Sequence, residues 1–582
     1  MKNTIIRSFA ILSAVLIAAG CIKETFPTGS AITEGQLQQS PNAIQYMVNG
    51  IPSAMITSGT GGYASKYGVH FDYGLPALHL MTDVMLEDFT VAGELGYFWF
   101  GAHFQNVAMG AQYIYNAYFW DCYYVWIKLA NDVIAQVGEV DDDTDPTILS
   151  GLGQAHAYRA MCYLDLARLF EPKDNKLAPI TAEVKQAGPT VPIVTEKTTE
   201  AEAINNPRAP REDIYEFIFG DLELAVKYLD AADKEYTHPT VGSVYGLYAR
   251  AYQELGGTFH EFGDKTKSDL YYGKAADYAR KAIETSGKTP LTEAQWHDPK
   301  TGFNDGGSNN SWMWGLTLSV ESASNIITNI AHVASEAIWG YSVMSLPAIS
   351  KALYDRIDIS DFRRRSWLDP EFTWHPGSEN YTANNGYQFA GTDDLLTGYE
   401  SAGITNAHGY FLYWAQNKPY VNIKFRPAGG QCVEYTEGNC ADHVLMRVEE
   451  MYFIEIESTL YKSGGGLDAA KKLLNDFMRT YRYRTYDCSY ASSDVSFVQE
   501  MLLQKRIEFW GEGILFYDYK RLNQGITRGY SGTNFPAVAR FNTDERSPQW
   551  NIVITRGEVQ ANPALDGMNN PDPTEKLIPW TE

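Results

Sequence analysis

Apolar residues return at helical spacing in several separate blocks of this 582-residue chain. The first runs from Tyr113 to Val137 and the second, after a short polar turn, from Ile148 to Phe170, and together they predict an antiparallel helix pair. Further helices are predicted from Arg211 to Leu229, opened by Pro210, from Gly242 to Leu255 and from Asp269 to Ile283. In the last of these, Ala275, Ala279, Ala282 and Ile283 recur on one stripe, where small side chains let a neighbouring helix approach closely. A final pair is predicted from Asp442 to Tyr461, with Val444, Val448, Met451 and Tyr452 on one face, and from Leu467 to Tyr481. Ser463-Gly464-Gly465-Gly466 supplies the turn between them. Helix pairs of this length with alanine-rich contacts look like tetratricopeptide units, so the expected fold is mainly α, an α-α superhelix of stacked pairs.

Two stretches break the pattern, at about 59–104 and 288–440. Both are rich in Gly, Asn, Tyr and Trp and read as insertions of loops and short strands. Variation on a regular scaffold concentrates in such segments, so a ligand site is expected there. Aromatic residues make up 13% of the chain, with 39 tyrosines and 13 tryptophans, more than a helical core requires. Flat rings pack on the apolar faces of sugars while nearby polar groups fix the hydroxyls. The candidate ligand contacts are Tyr97, Trp99, Trp312, Trp314, Trp339, Tyr341 and Trp374. Trp312 and Trp314 lie two apart on an apparent strand and so share a face, more often the buried one. Trp339 and Tyr341 flank Gly340 in a turn.

The N-terminus has its own pattern. Lys2 and Arg7 precede an apolar run from Phe9 to Ala19, about a dozen residues, which reads as a signal peptide over residues 1–20. Ala18-Ala19-Gly20-Cys21 resembles a lipobox, which makes Cys21 the expected site of lipidation and the anchor to a bilayer. Residues 21–40 read as the lipidated end and a flexible tether, and 41–582 as one helical domain carrying the two insertions. The formal charge of −24 argues against nucleic acid as a partner. Cys122 and Cys162 sit in apolar helical contexts and are expected to pack as small hydrophobes. Cys432 and Cys440 flank a turn-rich loop that either closes as a local disulfide or stays open. Adding His443 does not give a convincing zinc set.

Asp83, Glu87 and Asp88 form an acidic cluster that would suit a glycosidase pair or calcium, but a solvated face is the plainer reading. No P-loop, dinucleotide, His-Glu-x-x-His or Gly-x-Ser-x-Gly signature occurs, so no catalytic residue, metal or cofactor is assigned. Arg506, Glu508, Glu512, Asp518 and Arg521 mix both signs at close spacing, which suits structural ion pairs where helices meet.

Several segments in order resemble the SusD/RagB family. These are Gly153 to Ala160 followed by Tyr163, Leu166 and Phe170; Val191-Pro192-Ile193-Val194-Thr195; and Arg211, Tyr215, Ile218, Asp221-Leu222, Ala225 and Leu229. Lys424-Phe425, the run Arg447 to Tyr452, Leu474-Asn475 with Arg479, and the block from Arg506 to Arg521 continue the resemblance. It implies a lipid-anchored outer-membrane protein, exposed at the cell surface, that binds an oligosaccharide without catalysis. It also implies delivery of that ligand to a SusC-like TonB-dependent transporter. Oligopeptide capture for the same kind of transporter is one alternative, and a surface scaffold or enzyme is another. The resemblance transfers no ligand contact by motif.

Overall fold

The computed structural model describes residues 42–581, apart from 60–61, 64–65, 67, 94–103, 105, 299, 324, 338, 371–418 and 433. Cys21, Tyr97, Trp99 and Trp374 therefore lie outside the described residues. The fold is mainly helical. Its principal helices are α1 (Ala43–Ile56), α2 (Leu75–Val84), α3 (Ile114–Val137), α4 (Pro146–Phe170), α5 (Arg211–Tyr228), α6 (Val241–Glu261) and α7 (Lys265–Ser286). After the longer insertion come α8 (Val448–Tyr461), α9 (Leu467–Tyr481), α10 (Asp494–Glu508) and α11 (Leu515–Arg521). Consecutive helices pack in order: α3 on α4, α4 on α5, α5 on α6, α6 on α7, α7 on α8 and α8 on α9.

Local chemistry sets these ends. Asp145 caps α4 by accepting from the Thr147 N–H at 2.8 Å, with Pro146 pre-set for the first turn. Thr240 and Ser243 form a reciprocal capping box at the start of α6. The Asp264 side chain opens α7, and Gly287, at φ 65°, closes it. The close approach of α6 and α7 comes from the alanine stripe Ala275, Ala279 and Ala282, all fully buried, and from Gly256. A Cβ on Gly256 would lie 2.9 Å from the Tyr272 ring, so only glycine fits that crossing.

Two differences from the sequence reading stand out. The segment expected to be helical from Asp442 begins instead with a strand, β4 (His443–Arg447), and the helix starts only at Val448. The spacing of Val444 and Val448 fits a helix, but all five strand residues are buried, so no alternation of apolar and polar residues marks the strand. Within the stretch read as a loop insertion, α2 forms from ten residues that are all buried, and it too shows no amphipathic period.

The strands tie the insertions together. β1 (Phe89–Val91) pairs antiparallel with β3 (Pro347–Ile349), with Phe89 opposite Ile349, and so joins the shorter insertion to the longer. β2 (Trp312–Leu316) pairs antiparallel with β4, with Trp312 opposite Arg447 and Leu316 opposite His443. A second hydrophobic cluster, distinct from the helical core, gathers Phe89, Trp296, Phe303, Trp312, Trp367 and Trp510 beneath the insertions.

The charged C-terminal block is structural. Glu508 accepts from Arg363, Arg447 and Arg482, all buried. Glu512 accepts from Lys424 and Arg447. Arg521 pairs with Glu457 and Asp518, and Arg506 with Asp88. Burial alone would raise the Glu508 carboxyl, but the three guanidinium groups hold it well below the usual range.

Candidate functional site

The structure separates the sequence candidates. Trp312 and Trp314 are 1% and 0% exposed, so neither offers a ring face to an external ligand. They do not share a face either. The register of β2 shifts between them, so Trp312 joins Phe303 and Tyr236 in the second cluster, whereas Trp314 meets Tyr158 edge-on at 5.2 Å in the helical core.

Trp339 and Tyr341 sit on either side of Gly340, whose φ of 81° makes the turn. Tyr341 is buried and its Oη lies 2.5 Å from His70 Nδ1. Its ring stacks on His332 at 4.5 Å, and His332 stacks on Tyr73 at 4.6 Å, giving a three-layer column. His332 Nδ1 donates to the Thr328 carbonyl at 2.6 Å. Burial, with His70 nearby, lowers its pKa to about 3, so the column is neutral at physiological pH. Trp339 is half-buried; its Nε1 donates to the Gln431 carbonyl at 3.3 Å and its indole packs over Gly438. Of the four candidates among the described residues, Trp339 is the one that is not fully buried.

The acidic cluster is neither a solvated face nor a free carboxylate pair. Asp83 is buried and accepts from the Gly513 N–H at 2.9 Å, and burial raises its pKa well above the usual value despite that bond. Glu87 accepts from Tyr519 at 2.8 Å and from the Thr527 N–H at 2.6 Å, and Asp88 accepts from Arg506 at 2.7 Å. All three are thus committed to holding the C-terminal segments. Cys432 and Cys440 are both free thiols, so the local disulfide does not form, and Cys440 donates to the Thr436 carbonyl at 3.2 Å. Cys122 and Cys162 are buried in the helical core as small hydrophobes. His443 instead faces His79, Nε2 to Nδ1 at 2.9 Å, with both rings kept neutral chiefly by burial. Among the described residues no group of three or more His, Cys, Asp or Glu side chains is placed to hold a metal ion.

One feature was missed by reading the helices as core alone. Between α5 and α7, with α6 as its floor, runs a groove of about 1010 Å³ lined by tyrosine and phenylalanine rings. Its rings are stacked on one another: Phe219 on Tyr252 at 4.5 Å, Tyr248 on Tyr278 at 4.4 Å and Phe259 on Tyr271 at 5.5 Å. Lysine ammonium groups cover further faces, Lys274 over Tyr252 and Lys281 over Tyr278. The signal in the sequence was Tyr245, Tyr248 and Tyr252 at helical spacing on a helix that already had a separate apolar face.

Residues 75–253, from α2 into α6, match the SusD-like family described as starch-binding associating with outer membrane. Over this stretch the chain is SusD-like. A curated relative, SusD-like protein P2 of Formosa agariphila, is 22% identical over 532 residues, 89% of this chain and 90% of its own length. The fold matches a SusD-like carbohydrate binding protein from Bacteroides vulgatus with a TM-score of 0.62 and 19% identity, over 90% of this chain and 96% of that one. It also matches a surface glycan-binding protein A from Bacteroides thetaiotaomicron, in complex with laminarihexaose, with a TM-score of 0.56 and 16% identity, over 91% and 99% of the two chains. These likenesses establish the fold.

Proposed function

We propose that this SusD-like protein binds an oligosaccharide at the outer membrane without cleaving it and delivers it to a SusC-like TonB-dependent transporter. The observation that carries the reading is the match of residues 75–253 to a starch-binding, outer-membrane family. The complex of a fold neighbour with laminarihexaose supports a glycan as the ligand class. Lipidation at Cys21 and exposure at the cell surface belong to the same proposal.

The contact surface we assign to the glycan is the insertion side around Trp339. There the column of Tyr341, His332 and Tyr73 lies beside a turn that holds the half-buried Trp339, whose indole we assign to packing on a sugar ring. Tyr97, Trp99 and Trp374 belong to the same proposed set. The acidic cluster weighed as a glycosidase pair is occupied: Asp83, Glu87 and Asp88 accept from Gly513, Tyr519, Thr527 and Arg506. Capture held close to a transporter needs only modest affinity, because tethering raises the local ligand concentration at the pore.

Calorimetric titration of the full chain, purified in detergent, against laminarihexaose, a panel of plant, host and microbial oligosaccharides, and mixed peptides tests the proposal. Saturable heat with one glycan class, and no shortening of that glycan after prolonged incubation, is the expected result. Heat with peptides alone would replace the ligand class, and release of shorter sugars would make the protein an enzyme.

A further inference from the structure

The groove on the helical side has a geometry that the glycan reading does not use. On α6 its lining residues are Tyr245, Tyr248, Tyr252, Leu255 and Phe259, at successive spacings of three, four, three and four. On α5 they include Glu212, Glu216, Phe219, Glu223 and Val226, spaced four, three, four and three. On α7, Lys267, Tyr271, Tyr278 and Lys281 line it and Lys274 reaches over the Tyr252 ring, again at four, three, four and three. A three-four alternation keeps residues on one face of a helix, and when that face is apolar it is a heptad seam that receives the knobs of another helix. The α6 face is such a seam, flanked in one shared groove by α5 and α7 faces that mix apolar rings with charged side chains.

We propose that this groove is a docking site for an amphipathic α-helix of a partner protein, which completes a four-helix arrangement with α5, α6 and α7. Size agrees. From Tyr245 to Phe259 the floor is about 21 Å long at 1.5 Å per residue, and a helix about 10 Å across over that length occupies about 1,650 Å³. The groove volume of about 1010 Å³ thus holds it rather more than half sunk, with one face left to solvent.

Charge fixes the chemistry of the partner. The α5 wall is acidic through the exposed Glu212, Glu216 and Glu223, and the α7 wall is basic through the exposed Lys267, Lys274 and Lys281. The three lysine ammonium groups lie over Phe259, Tyr252 and Tyr278, at 4.6 to 4.9 Å from the ring centres, rather than against carboxylates. The matching helix carries an apolar a/d stripe, Lys or Arg on the flank facing α5, and Asp or Glu on the flank facing α7. A sugar fits less well, since stacking among Phe219, Tyr248, Tyr252 and Tyr278 and the lysine covers use the ring faces a pyranose would need. This inference is independent of the glycan reading and stands or falls separately from it.

The test uses a fluorescein-labelled designed helix with that apolar stripe, one lysine flank and one glutamate flank, titrated by anisotropy with the full chain in detergent. A scrambled peptide of the same composition is the control. Saturable binding is expected, at least about tenfold tighter than the scrambled control. Lys274→Glu with Lys281→Glu, both on the exposed surface, should weaken it at least about tenfold, and a helix with lysine on both flanks should bind that variant more tightly than it binds the unsubstituted protein. Equal binding of the scrambled peptide, no binding, indifference to the charge reversal, or displacement of the helix by laminarihexaose would each overturn the proposal.

Discussion

Arg447, the last residue of β4, donates through Nη1 to Glu508, the last residue of α10, at 2.8 Å, with both side chains removed from solvent. The same guanidinium donates to Glu512 at 2.8 Å, and Glu508 also accepts from Arg363 and Arg482. This knot joins the strand beneath the insertions to the last long helices, so the surface proposed for the glycan and the helical scaffold are held by one set of charges.

Glu508→Gln leaves three buried guanidinium groups short of their shared anion. Removing one partner of a buried ion network costs about 3–5 kcal/mol, because the remaining charges stay desolvated. We expect a loss of that order in chemical denaturation. A change of less than about 1 kcal/mol would show that water enters the knot and that it does not hold the two halves together.

Much of the scaffold was legible from periodicity: the helix expected from Ile148 to Phe170 forms as α4, two residues longer at its start, and the Ala275, Ala279, Ala282 stripe marks the α6–α7 contact. Legibility failed where burial is complete on every side. Leu75–Val84 and His443–Arg447 are buried at every position, polar residues included, so neither period shows. The two tryptophans of β2 were separated by a bulge, which shifts register without a sequence mark. The aromatic groove was hidden for the opposite reason, since tyrosines at helical spacing pack partly on one another and partly outward, and spacing alone does not divide the two.

Asp442 gives a pH signature. Burial, with Asp305 nearby, raises its pKa from 3.8 to about 6, although it accepts from Tyr236 at 3.0 Å and from the Gly306 N–H at 3.1 Å. A raised carboxyl holds its proton longer in the folded state than in the unfolded chain. Its cost is therefore absent below about pH 4, grows through about pH 6 and is constant above, reaching about 3 kcal/mol. Asp442→Asn keeps the acceptor oxygen and removes the charge. Denaturation midpoints should favour the variant increasingly between pH 4 and 6.5, and a difference that does not change with pH would contradict the assignment.

The thiols are a direct check on the insertion. Cys122, Cys162, Cys432, Cys440 and Cys488 are all free, with Cys440 more open than Cys432. Alkylation in denaturant without reductant should label all five, and in the folded protein Cys440 should react ahead of Cys432. A mass two hydrogens lower, with Cys432 and Cys440 unlabelled, would mean that they are bridged.

Trp339→Ala should weaken glycan binding about tenfold, or about 1.4 kcal/mol, with little loss of stability. Gly340→Ala acts through the backbone: φ is 81°, and the new Cβ would sit 2.6 Å from the Ala331 carbonyl oxygen. The turn must shift, so affinity should fall together with stability. Full affinity in both variants, measured by calorimetry, would remove Trp339 from the site.

Hydrogen–deuterium exchange of the full chain, with and without saturating glycan, tests the central claim most directly. Slowed exchange at residues 329–349 and 428–440, with residues 241–286 unchanged, is the result expected of a glycan held on the insertions. Protection confined to 241–286 would put the sugar in the helical groove and contradict the assignment.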